Sequence, residues 1–273
     1  MSTQAAMVDP EFTSDNQQGR SENWCATVPT FNVNKADQAP LSSTDDMATL
    51  QEKYHCVTQA SVDTTEDIVV GMGPLIPRWQ ASKSDPTELL YFVIRDGFAS
   101  DEDFDDAASA FQQAADDWNA LAFGVKITRT MDQNQAHFVV RYFMPDEDQG
   151  VLASAFFPNN VQDVLIYDRS LTSDSGKRSL KSILLHEIGH IIGLRHEFAI
   201  TGKGAPSGRP ERDAPAKQFG SQNANSVMAY VFPPTMQETD KHDVKEFYKL
   251  SNGFMIDGVR VTDFVPRPLE QIA

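Results

Sequence analysis

The sequence predicts a mixed α/β domain with helices packed on a twisted sheet. Three observations lead there. Leu89-Leu90-Tyr91-Phe92-Val93-Ile94 is an unbroken strand-forming run. Phe104, Ala108, Phe111, Ala115 and Trp118 recur at spacings of four, three, four and three, which is one apolar face of a helix. Several strand signals follow that helix, and then a second helical stretch.

The elements come in this order. The organised part begins near Pro77-Arg78-Trp79, just before the Leu89–Ile94 strand. Ser100-Asp101-Glu102-Asp103 reads as a helix start, with a capping hydroxyl and acids in the first turn. Gly124–Thr128, Ala136–Phe143 and Val164–Tyr167 are further strands; the last is continuously apolar, as a covered strand would be. Gly150–Pro158 suits an edge strand, because its closing proline cannot serve a central ladder. A helix is expected from about Lys177 to Leu194.

Composition bounds the rest. The 273 residues, 40% of them hydrophobic, suit one domain of moderate size with extensions. Residues 1–74, rich in Ser, Thr, Gln, Asn and Asp, read as a flexible N-terminal region and candidate pro-segment. The domain is expected over 75–252, with 253–273 as a C-terminal tail. No apolar run approaches the length of about 18 residues that a membrane span needs. The first twenty residues lack the apolar stretch of a secretory signal, so either the protein is not exported by that route or the signal is missing here. A net charge of −16 argues against nucleic acid as a partner. Cys25 and Cys56 are the only cysteines; a disulfide, reduced thiols and a metal ligand all remain open.

The chemistry lies in His186-Glu187-Ile188-Gly189-His190-Ile191-Ile192-Gly193-Leu194-Arg195-His196. His186 and His190, four apart on a helix, share a face and can grip one ion. Glu187 stands one step round and can reach a metal-bound water without binding the metal. Gly193 tolerates a left-handed conformation, so it can end the helix and turn the chain back. His196 then arrives from the far side. Three neutral imidazoles leave one tetrahedral position open, the arrangement of a catalytic zinc. The remaining histidines, His55, His137 and His242, read as ordinary polar residues.

This segment fits the metzincin pattern H-E-x-x-H-x-x-G-x-x-H, and the chain resembles that group of zinc peptidases. Asn225-Ser226-Val227-Met228-Ala229-Tyr230 looks like the group's Met-turn, which would place Met228 as an apolar floor beneath the imidazoles. Residues 75 to 252 are similar in pattern to matrixins in particular. The resemblance implies a zincin-like fold: a mostly parallel sheet with an antiparallel edge strand, an active-site helix, a second long helix and a C-terminal helix. Leu152, Ala153 and Ser154 resemble the edge strand along which substrate lies. Two features depart toward astacins. Glu197 follows the third histidine, where astacins contact a buried N-terminus. Tyr230 stands in the Met-turn, which makes it a candidate fifth ligand or oxyanion stabiliser. Ser154 replaces the histidine that binds a second zinc in matrixins, and no cysteine-switch motif is visible.

The resemblance implies a metalloendopeptidase with one catalytic Zn2+. Glu187 would act as base, and Tyr230 would assist the developing oxyanion. The partner would be an extended protein or peptide substrate, with no nucleic acid and no membrane span, and the protein a monomer. Cys25 or Cys56, or an acid of the N-terminal region, would be able to cap the metal as a latency device. The competing reading is a non-proteolytic zinc-binding or interaction module. Localisation stays open, although the resembled families work mainly outside cells.

Overall fold

A computed structural model describes residues 56–58, 75–82, 84–147, 150–203 and 216–269. Hydrophobic patterning sets the main sheet. Strands β2 (Thr87–Val93), β3 (Val125–Arg129), β4 (Phe138–Phe143), β5 (Ala153–Ser154) and β6 (Val164–Tyr167) assemble in the order β3-β2-β4-β6-β5. The first four are mutually parallel, and β5 runs antiparallel against β6 at the edge. The expected strand Gly150–Pro158 is paired only at Ala153 and Ser154. Beyond them the only bridge, among the described residues, links Phe157 to Asn160 in a local turn.

Helix α1 (Asp101–Asn119) starts where the sequence marks it, with the Ser100 hydroxyl accepting from the Asp103 amide. Ala108, Phe111, Ala115 and Trp118 are buried against the sheet and the second long helix. Trp118 makes the contact polar as well as apolar, its indole donating to the Leu185 carbonyl at 2.9 Å. A short helix α2 (Arg169–Thr172) then leads into α3 (Asp174–Ile191), which is capped by the Ser173 hydroxyl. The expectation of about Lys177 to Leu194 was shifted by one turn at the start. Ser173 supplies a cap that the apolar pattern alone does not reveal. Helix α4 (Glu238–Phe247) closes the helical layer.

Strand β1 (Leu75–Trp79) lies outside the main sheet. It pairs in parallel with β8 (Val259–Phe264), which forms a hairpin with β7 (Met255–Ile256). Residues 253–264 are therefore no free tail. Val261 is fully buried in the main core, and the hairpin turns at Asp257-Gly258, both at positive φ. The small sheet is locked by Arg78, which is buried. It pairs with Asp263 at 2.7 Å and donates to the carbonyls of Phe247 and of Leu250, the latter at 2.6 Å. Its neighbour Trp79 donates to the Ile191 carbonyl at 2.7 Å, and the Tyr248 hydroxyl donates to the Ile192 carbonyl at 2.9 Å. The last carbonyls of α3, which no helix satisfies by itself, are thus met from both ends of the domain.

Candidate metal centre

The end of α3 builds the site. Gly193 has φ +93°, its amide bonds the His190 carbonyl at 2.8 Å, and the Leu194 amide bonds the Gly189 carbonyl at 2.9 Å. This is a Schellman turn with glycine at its left-handed position. A Cβ at 193 would lie 2.3 Å from the Pro77 carbonyl oxygen, so the close approach of β1 demands glycine as much as the torsion does. The chain reverses there and returns His196 beside His186 and His190. The three rings form a near-equilateral set, with centroids 4.9, 5.1 and 4.9 Å apart.

Each imidazole is fixed through its outer nitrogen. His186 Nδ1 donates to the Val227 carbonyl at 2.7 Å and His190 Nδ1 to the Leu194 carbonyl at 2.8 Å. His196 Nδ1 lies 2.9 Å from the Tyr230 hydroxyl. A carbonyl only accepts, so the proton of His186 and of His190 sits on Nδ1, and Nε2 presents a lone pair inward. Burial, reinforced by His196, pushes the His186 pKa down to about 3 and His190 well below its ordinary value. Both are neutral at neutral pH, the form that binds metal.

The donor set fits zinc. His186 Nε2 and His196 Nε2 are 3.2 Å apart. Two nitrogens at ordinary Zn–N distances in a tetrahedron stand roughly 3.3 Å apart. The fourth direction is taken by Cys56, whose sulfur is 3.4 Å from His190 Nε2. A thiolate and an imidazole on one tetrahedral zinc would stand roughly 3.5 Å apart. Ligand atoms of all four residues lie within 4.8 Å of one another. Cys56 is a free thiol. Cys25, its expected alternative partner or rival as a ligand, lies outside the described residues, as does His55.

Glu187 is fully buried beside the cluster. Its Oε2 accepts from the Thr58 hydroxyl at 2.8 Å and faces the Cys56 sulfur at 3.8 Å, while Oε1 has no partner among the described residues. Burial raises its pKa to about 8, against the pull of the Thr58 and Cys56 hydrogen bonds. The Thr58 hydroxyl also accepts from the Ala155 amide at 2.8 Å, so one side chain bridges the carboxylate and the sheet edge. Leu152, Ala153 and Ser154 lie along that edge and are buried. The Leu152 carbonyl is already used by the Tyr167 amide and the Ser170 hydroxyl.

Met228 packs against the end of α3. It is buried, and a Cβ at Gly189 would come within 2.3 Å of its sulfur, so α3 rests directly on it. The turn is held from α4: Asp240 accepts from the Ser226 hydroxyl at 2.6 Å and the Val227 amide at 2.8 Å. Sequence reading missed Asp240; the available signal was its place three residues after Gln237, whose amide it also accepts at 2.8 Å. It missed Thr58 too, for which no local pattern exists. Glu197 accepts from the Asn223 amide at 2.7 Å and lines a cavity behind the Met-turn with Met228, Asp240 and Phe247.

Residues 83–201 match the matrixin family model, a peptidase family, and this span contains the whole histidine motif. This stretch of the chain is therefore matrixin-like. Matrixins use zinc, and the domain's buried cluster can hold it, which together support a zinc metalloprotease. Two solved structures are similar to the matrixin-like chain. One is high choriolytic enzyme 1, a hatching-enzyme zinc protease from Oryzias latipes (medaka fish). It is 10% identical with a TM-score of 0.41, covering 64% of this chain and 95% of that one. The other is metalloproteinase-II from Bacteroides fragilis, 15% identical with a TM-score of 0.33, covering 64% and 56%. No curated protein matches at a significant level.

Proposed function

We propose that the domain is a zinc metalloendopeptidase of metzincin type, acting on internal bonds of extended protein substrates and held latent by its own residues 56–58. The observation that carries this reading is a buried carboxylate, Glu187, set against three imidazoles whose Nε2 atoms converge. A site that only retained metal would have no use for it. His186, His190 and His196 would hold the zinc, and zinc bound there would acidify water and polarise the scissile carbonyl.

The protein's own residues do the rest. Glu187 takes a proton at Oε2, the oxygen that faces the cluster, and returns it to the leaving amine. Burial, which raises the Glu187 pKa, favours its keeping the proton between the two transfers. The Ala155 amide donates to a substrate carbonyl laid along the edge, as it now donates to Thr58. Tyr230 keeps His196 oriented through Nδ1; to serve the oxyanion it must leave that bond. Glu187→Ala added to the zinc-loaded Cys56→Ala protein is expected to keep the metal and lose cleavage of casein or gelatin. Full activity in a metal-loaded mutant would sink the assignment of the base.

One observation favours a second reading. Cys56 with the three histidines makes a closed four-ligand set, as in structural zinc sites. On the proteolytic reading, Cys56→Ala opens the fourth position and cleavage appears. On the closed-site reading, the same change only weakens zinc retention.

A further inference from the structure

Cys56 and Thr58 both reach Glu187, and Val57 between them points elsewhere. It packs against the apolar cluster of Val151, Leu165 and Tyr167, separate from the main core, which Phe143 also borders. The separation follows from strand geometry. Along β6, Val164 and Ile166 enter the main core, while Leu165 and Tyr167 alternate to the opposite face. Ser154 pairs with Leu165 in the antiparallel ladder and lies on that same face, where it hydrogen-bonds Tyr167.

We propose that this patch is a substrate side-chain subsite that selects a small or β-branched apolar residue. The inference rests on the proteolytic reading above. The occupant is set by what sits there now. Val57 fills the patch while the next residue, Thr58, occupies both the edge donor Ala155 and the base Glu187. A substrate that takes the same amide with a backbone carbonyl brings a neighbouring side chain over Val151 and Leu165. The chemistry of the wall sets the preference. Valine and leucine side chains offer no hydrogen bond, the Phe143 and Tyr167 rings meet edge to face at 5.1 Å, and Tyr167 is bonded to Ser154. A charged or amide side chain placed there would lose water without gaining a partner. A large aromatic would have to displace rings already packed against each other.

The test uses the zinc-loaded full chain carrying Cys56→Ala and Thr58→Val, digesting a proteome-derived peptide library read by mass spectrometry. Valine, isoleucine and similar small apolar residues are expected to be enriched at one fixed position within three residues of the cut. Adding Leu165→Ala enlarges the patch without introducing a charge, and the preference at that position is expected to move to leucine and phenylalanine. A synthetic peptide of residues 53–61 is expected to inhibit cleavage, and its Val57→Ala form to inhibit about tenfold more weakly, from two methyl groups lost. Cleavage with no positional apolar preference overturns the subsite, as does a preference untouched by Leu165→Ala. Equal inhibition by the two peptides does the same. No cleavage by any variant overturns the proteolytic reading itself.

Discussion

Gly193→Ala separates two costs that meet at His196, the proposed third ligand. The residue has φ +93°, and an added Cβ would sit 2.3 Å from the Pro77 carbonyl oxygen. The torsion alone costs an L-residue about 1–2 kcal/mol. The contact is with backbone, so β1 or the helix end must move, adding about 1–3 kcal/mol as in overpacked cores. The sum is about 2–5 kcal/mol. Gly253 supplies the control: φ is +85° and nothing lies within 4 Å of its would-be Cβ, so Gly253→Ala pays the torsion only. Urea unfolding of both mutants, with and without zinc, measures the difference. Competition with a chromophoric chelator measures the affinity. Gly193→Ala should be the less stable, and its zinc should bind about tenfold or more weakly, because His196 hangs on that turn. Equal stability losses in the two mutants, with unchanged zinc affinity in Gly193→Ala, would refute the reasoning.

Thr58→Val should raise the activity of the uncleaved chain on the order of tenfold on top of Cys56→Ala, since it removes a hydrogen bond to a buried carboxylate; no added activity would mean that the thiol alone holds the site shut. Tyr230→Phe should weaken zinc binding about tenfold or more, as loss of a partner behind a ligand does. In the Cu2+-substituted wild type no phenolate charge-transfer band is expected, and a band lost on mutation would make Tyr230 a direct ligand instead. His137 is half-buried and accepts from the Leu90 amide through Nδ1 at 2.9 Å, and burial lowers its pKa below the ordinary value. The unfolded chain therefore binds the extra proton first, so this contribution is full above the unfolded pKa of about 6.5 and fades as pH falls below it, at most about 1.4 kcal/mol per pH unit. His137→Asn should flatten that part of a stability–pH curve measured beside the wild type, and an unchanged slope would remove His137 from the balance.

What the sequence made legible was local. The spacing of Phe104 through Trp118 needs only the helical repeat to be read, and so does the pairing of His186 with His190. Gly193 announced its turn because few residues tolerate that torsion. The parallel order of the main sheet came with the resemblance, not with the strand runs themselves. Three things could not be read. The β1–β8 ladder joins Leu75 to Arg260, and neither strand carries a pattern that names its partner. Asp240 reaches the Met-turn across thirteen residues with no motif beyond a helix start. Cys56 was open among three fates, because a lone thiol in a polar stretch has no local signature; only the fold brings it to His190.

The clamp on the end of α3 has a consequence in time. Trp79 and Tyr248 hold consecutive carbonyls beside Gly193, yet one precedes the histidines in the chain and the other follows them by half a hundred residues. A nascent chain that has just exposed His196 owns every ligand but lacks Met228, Asp240, Tyr248 and the β8 strand that fixes Arg78. Ligands without their scaffold bind metal poorly. Synthesis thus completes the proposed metal centre last, once its scaffold has been made. A ribosome-stalled chain ending at Ala229 should retain zinc far less tightly than one ending at Leu269.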